Sequence, residues 1–246
     1  MRLYDEIIRD ILTFLGGQDA HILPVGAAAD PVSRDWQDAG KAMMILQSDM
    51  AYELGGHNLP AVGNTLVTTG KDFVPEDEII LIGKDLPEIT EDTPYARIAL
   101  VRVAEDSIGT GDRLYNTIRN IGYFRYHIYP KGFMLRVSSS NDRESVRVEA
   151  EALNEGLNFT AIGNAMLRAL HLHKEVEAVR IIFVTDPKVD YGRLQDGLKK
   201  TKQITATIDH MLKDVNMDCG SCGLQEICDE IEGLREMHFG MSEEHT

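Results

Sequence analysis

Apolar positions along this chain switch repeatedly between a helical period and a strand period. The opening residues MRLYDEIIRDILTFLGG place Leu3, Ile7, Ile8, Ile11, Leu12 and Leu15 at helical spacing, with Gly16-Gly17 as a stop. SRDWQDAGKAMMILQSDMAYEL predicts a second helix, ending at Gly55-Gly56. EIILIG (Glu78–Gly83) and ARIALVRVAE (Ala96–Glu105) are rich in β-branched residues and predict strands. DRLYNTIRNIGYF predicts a helix that turns at Gly122, and GFMLRVSS (Gly132–Ser139) a strand. That strand puts Phe133, Leu135 and Val137 on one face and Met134, Arg136 and Ser138 on the other.

Further on, NDRESVRVEAEALNEG predicts a helix capped at Asn141 or Asp142 and stopped by Gly156. TAIGNAMLRALHLHKE predicts another, with Ile162, Met166 and Leu170 along one stripe. EAVRIIFVTD (Glu177–Asp186) is a near-continuous apolar run, as a strand buried on both faces requires. A long polar helix from about Val189 to Asp214 follows. This order predicts an α+β fold, a mixed β-sheet with flanking helices and a cysteine-bearing helical tail. The expected division is an N-terminal helical segment over 1–50 packed on the main domain, an α+β domain over 51–214, and a metal-binding tail over 215–246.

Charge narrows the partners. A net charge of −15 disfavours nucleic acid, which needs a basic footprint. No apolar run approaches the roughly 18 residues of a membrane span, and the acids among the first apolar residues argue against a signal peptide. The chain reads as cytoplasmic, with no membrane partner. Against this acidic background, Arg113 to Arg147 holds seven bases (Arg113, Arg119, Arg125, Lys131, Arg136, Arg143, Arg147) and two acids, Asp142 and Glu144. Either this is a solvated face balancing the acidic ones, or it meets phosphate, which arginine grips in a bidentate fork.

All three cysteines lie in ten residues, CGSCGLQEIC: Cys219, Cys222 and Cys228. An odd count without a signal peptide argues for metal or redox use rather than a disulfide framework. Two thiolates at C-x2-C reach one metal, and a third six residues on completes a face of a four-iron cubane or three corners of a zinc site. His238, Asp218 or a second copy of the chain are candidates for the vacancy. Weaker constellations read as structural. His171 and His173 with Glu175 are surface groups, Gly109–Arg113 (GTGDR) lacks the Rossmann and P-loop spacings, His57 sits in a Gly/Pro-rich turn, and Trp36 is a core anchor.

Two stretches, YELGGHNLPAVGNTLV (Tyr52–Val67) and DEIILIGKDLPEI (Asp77–Ile89), resemble segments of the acetyl-CoA synthase subunit. That subunit is the beta component of carbon monoxide dehydrogenase/acetyl-CoA synthase. GYFRYHIYPKGFMLRVSSS is similar to the family strand bearing a W-x-R pattern. EGLNFTAIGNAMLRALHLHKEVEAVRIIFVTDPKV resembles its next helix and strand, so the likeness runs from Ala51 to Cys228 over the family's middle domain and the threshold of its catalytic domain. The resemblance implies an iron–sulfur component of that system, with other subunits or a corrinoid protein as partners. It also implies an arginine-rich region (Arg113, Arg119, Arg125, Arg136, Arg143) for coenzyme A. Arg136 matches the arginine of W-x-R, but Met134 stands where the tryptophan should be. The family's nickel site needs a Cys-Gly-Cys in addition to the cubane ligands, and three cysteines do not supply both. The chain would then not make acetyl-CoA alone. A second class of function is a zinc-binding scaffold or dimer on the same fold, and a third is an electron-transfer module.

Overall fold

In the computed structural model, residues 3–26, 44–56, 58–105, 112–126, 128, 130–138 and 143–213 are described. The opening amphipathic segment forms helix α1 (Asp5–Leu15), closed at Gly16 and burying Ile7, Ile8, Ile11 and Leu15. The apolar runs at β4 (Glu78–Ile82), β5 (Tyr95–Val103) and β8 (Val176–Val184) form strands, as their β-branched composition demands. With β1 (Ala20–Leu23) and β3 (Ala61–Thr68) they build a five-stranded sheet in the order β1-β4-β8-β5-β3. Pairing is antiparallel for β1–β4 and β5–β8 and parallel for β4–β8 and β3–β5, a mixed sheet.

A smaller antiparallel sheet, in the order β2-β7-β6, is made by β2 (Met50–Leu54), β6 (Phe133–Val137) and β7 (Glu144–Glu149). Alternation of side chains along the strands places its layers. Gly63, Tyr95, Arg97 and Phe183 share one face of the large sheet, which meets the small sheet and helix α4 (Phe159–Leu170). Phe159 of α4 stacks on Phe183 with ring centroids 4.5 Å apart. Asn64 faces the other way, to helix α5 (Tyr191–Lys213), and α1 packs on α5. Helix α2 (Asp112–Gly122) continues into a 3-10 turn over Tyr123–Tyr126 and lies beside β3, the strand at the end of the sheet. The whole is a mixed α+β fold.

Two expected helices are corrected. The segment ending in MAYEL is not helical at its end: residues 44–49 are loop and turn, and Met50–Leu54 is strand β2. NDRESVRVEAEALNEG is strand β7 followed by the short helix α3 (Ala150–Asn154), with Gly156 at φ +96° just beyond it. In both places pairing decides. Leu54 and Val146 face each other across the small sheet, and Glu144, Val146 and Val148 alternate as buried positions. Strands β1 and β3 were not expected from the sequence. The cysteine tail, Trp36 and His57 lie outside the described residues.

Candidate functional site

The two sheets are joined by a buried ion pair. Arg97 on β5 and Glu144 on β7 are both fully buried, and they meet in a bidentate fork, Nε to Oε1 at 2.5 Å and Nη2 to Oε2 at 2.7 Å. Arg97 also donates from Nη1 to the Asn64 carbonyl and the Thr65 hydroxyl, both at 3.3 Å, and its guanidinium lies over the Phe124 ring. Burial works against the guanidinium's charge, but the Glu144 carboxylate outweighs it and raises the Arg97 pKa. Gly63, the register partner of Arg97, leaves the room: a Cβ there would overlap the Glu144 carboxylate.

Around this pin lie two clefts that divide the basic stretch. The first, of about 300 Å³, is lined by Glu53, Gly55 and Gly56 with Arg136, Ser138, Arg143 and Ser145. Its arginines are engaged by the protein. Arg136 Nη1 donates to Glu53 Oε1 at 2.8 Å, and Arg147 Nε donates to the same oxygen at 2.7 Å. Arg143 Nη2 donates to the carbonyls of Gly55 and Leu59, clamping the turn that Gly55 makes at φ +64°. The Glu-Leu-Gly-Gly segment is thereby explained: Glu53 gathers two arginines, and a side chain at Gly56 would collide with the Glu53 carboxylate.

The second cleft, of about 370 Å³, opens between α2 and α5 at the edge of β3. Arg119, Tyr115 and Tyr123 come from α2 and the turn after it, Arg125 from that turn, and Lys202, Thr205 and Asp209 from α5. Arg119 lies over the rings of Tyr115 (5.8 Å) and Tyr123 (5.2 Å), and its Nε donates to the Tyr123 hydroxyl at 2.7 Å. That hydrogen bond, with the charge of the phenol groups, raises the Arg119 pKa. Arg125 stands 3.8 Å from the already paired Glu144 and over the Tyr126 ring, and its Nε is buried with no hydrogen-bond partner. Lys202 is pushed down in pKa, first by burial and then by the charge of Arg125.

Comparison with family models matches residues 37–189 to CdhC, the CO dehydrogenase/acetyl-CoA synthase complex beta subunit. The chain belongs to this beta-subunit family. No curated protein matches it. The match takes in both sheets from β2 onward, α2 and the five arginines singled out from the sequence, and it ends before α5 and the cysteines.

Within this beta-subunit frame the five arginines are not brought together. Arg136 and Arg143 line the first cleft, Arg119 and Arg125 the second, and Arg113 is exposed at the start of α2 and lines neither. Cys219, Cys222 and Cys228, with Asp218 and His238, lie outside the described residues. Among the described residues no group of three or more His, Cys, Asp or Glu side chains is arranged to hold a metal, and His171 instead meets Asp77, Nε2 to Oδ2 at 2.8 Å. No helix among the described residues is long and apolar enough to cross a membrane. Sequence reasoning missed Lys202, whose only signal was its helical spacing with Leu198, Thr205 and Asp209 along one face of a polar helix. It also missed Glu53 and Glu144 as the carboxylates that organise the basic stretch.

Proposed function

We propose that the chain is an iron–sulfur-binding component of a CO dehydrogenase/acetyl-CoA synthase system. On this reading it carries a basic region for coenzyme A or a partner and does not complete the synthase chemistry alone. The observation that carries this reading is the match of residues 37–189 to the beta-subunit family. Support for the metal comes from the C-x2-C-x5-C spacing of Cys219, Cys222 and Cys228, which are thiolate ligands of the kind a four-iron cluster takes. Gly220 and Gly223 let the backbone wrap closely there. Such a cluster supplies one-electron chemistry when bound. These three are the only cysteines in the 246 residues, and a separate dinuclear nickel site needs thiolates beyond them. The basic region is the part that would meet a phosphate-bearing cofactor or an acidic partner surface.

The test is anaerobic purification with metal analysis and absorption spectra before and after dithionite. About four irons per chain and a broad band near 400 nm that bleaches on reduction are expected. Serine at Cys219, Cys222 or Cys228 should remove the iron and leave the circular dichroism of the main domain unchanged. Zinc, or full iron content in all three variants, would overturn the cluster assignment.

A further inference from the structure

The cleft between α2 and α5 has the composition of a protein-docking surface. Tyr115, Arg119 and Tyr123 line it together, and tyrosine and arginine are the residue types that anchor protein–protein contacts. Tyr123 is 38% exposed, and Tyr126 beside it 39%. Ile118, Leu198 and Ala206 add apolar surface to the lining. The charge of the cleft is positive. Lys202 and Asp209, each with a partner of its own, cancel in the count, and the excess is Arg119 and Arg125. Among the described residues Arg119 meets only phenol groups. Arg125 comes no nearer than 3.8 Å to Glu144, a carboxylate already forked to Arg97.

The segment that matches this surface follows α5 in the same chain. Helix α5 carries Lys202, Thr205 and Asp209 along the cleft and runs on to Lys213. Beyond it, residues 214–246 hold nine acids (Asp214, Asp218, Glu226, Asp229, Glu230, Glu232, Glu236, Glu243, Glu244) against one base, Arg235. The acids are densest over residues 226–236, EICDEIEGLRE, where five carboxylates are interleaved with Ile227, Ile231 and Leu234. Carboxylates answer the two arginines, and the apolar side chains answer Ile118, Leu198 and Ala206. Reach is ample. From Lys213 back to Leu198, the far end of the cleft on α5, is about 23 Å at the helical rise. The 13 residues from Lys213 to Glu226 span up to about 43 Å when extended.

We infer that residues 226–236 dock in the α2–α5 cleft of their own chain, with their carboxylates on Arg119 and Arg125. The tether at Lys213 makes the contact intramolecular, at an effective concentration on the order of millimolar, so contacts too weak to hold a free peptide suffice. Docked there, the segment fills the cleft with the chain's own acids, and any other anion has to displace it. The family match ends before α5 and before this segment. The contact uses acids and not thiolates, so it stands apart from the cluster reading.

The experiment is hydrogen exchange of the full chain, read by mass spectrometry on peptides covering residues 226–236 and α2, in samples of equal iron content. Residues 226–236 are expected to be protected at about 0.05 M salt and to exchange at least tenfold faster at about 1 M, where the ion pairs are screened. Arg119→Glu, at an exposed position, should release residues 226–236 by the same factor at low salt. Lys131→Gln, outside the cleft in an exposed pair with Glu155, should leave them protected. The reciprocal variant, Asp229→Asn with Glu230→Gln and Glu232→Gln, should speed exchange in α2. Unaltered exchange of α4, which does not line the cleft, reports an intact fold in every variant. If Arg119→Glu disturbs α4, the reciprocal variant carries the test. Protection of residues 226–236 that survives Arg119→Glu with α4 intact, or α2 exchange unmoved by the reciprocal variant, would overturn the inference. Protection that rises with protein concentration would overturn it as well, because the segment would then dock on a second copy.

Discussion

The residue that organises the interior is Glu144, a carboxylate with no exposed surface that answers Arg97 and stands beside Arg125. A buried pair of this kind is not a large net source of stability, because both charges give up water to form it. Breaking it is another matter. Glu144→Gln leaves Arg97 charged, buried and half-partnered, and should cost roughly 3–5 kcal/mol, read from the urea unfolding midpoint. The same change removes the carboxylate that Arg125 approaches at 3.8 Å. A loss below about 1 kcal/mol would mean that Phe124 and the Asn64 carbonyl, rather than the carboxylate, hold the guanidinium in place.

At the scale of elements, the packing of α1 on α5 leaves room for a methyl group at one position. Gly197 sits inside α5 where a Cβ would meet Ile11 Cδ1 at 3.4 Å and Ile7 at 3.7 Å, ordinary contact distances. Gly197→Ala should therefore stabilise the protein by about 0.5–1 kcal/mol through helix propensity, measured as a higher thermal midpoint. A lower midpoint would show that α1 needs the notch. Gly63→Ala is the opposite case, since its Cβ has only the Glu144 carboxylate to enter. These elements differ in how far the sequence announced them. Strands β4, β5 and β8 are rich in β-branched and other apolar residues, and α1, α2 and α5 keep their period over at least 11 residues, so local pattern and tertiary burial agree. Strand β3 was hidden by Gly63 and Asn64, residues that weaken a strand locally but are needed for the approach of Glu144 and for the bond to Thr201. In β7 the alternation of Val146 and Val148 lay under flanking acids that read as helix. The basic stretch was legible as composition. Its division into two clefts was not, because it depends on Glu53 arriving from β2 and on Arg97 of β5 engaging Glu144.

Across the whole molecule, three buried phenols tie separate parts together, and with Tyr95, whose pKa is raised by burial and by Glu144, they set the alkaline limit of the fold. The Tyr4 hydroxyl joins α1 to Thr205 of α5 at 3.0 Å. Tyr52 of β2 donates to the Leu86 carbonyl at 2.6 Å, and Tyr191, opening α5, donates to the carbonyls of Val184 and Asp186. Burial raises the pKa of each, that of Tyr4 to about 12, with Asp85 adding to the effect at Tyr52 and Asp186 at Tyr191. A phenol raised in the folded state holds its proton there after the unfolded chain has lost it, so the folded form binds more protons between the two values. The stability it contributes is whole below about pH 10 and is lost as pH climbs towards 12. Tyr4 alone accounts for roughly 3 kcal/mol of that loss. Each phenolate formed on unfolding also adds to a chain already at −15, which favours the expanded state. Urea midpoints from pH 8 to 11.5 should therefore fall steeply above pH 10, and Tyr4→Phe should flatten the fall while costing little at pH 8, where Thr205 keeps its bond to the Thr201 carbonyl. An unchanged alkaline slope in Tyr4→Phe would place the loss on Tyr52, Tyr95 and Tyr191 and would free the α1–α5 contact from it.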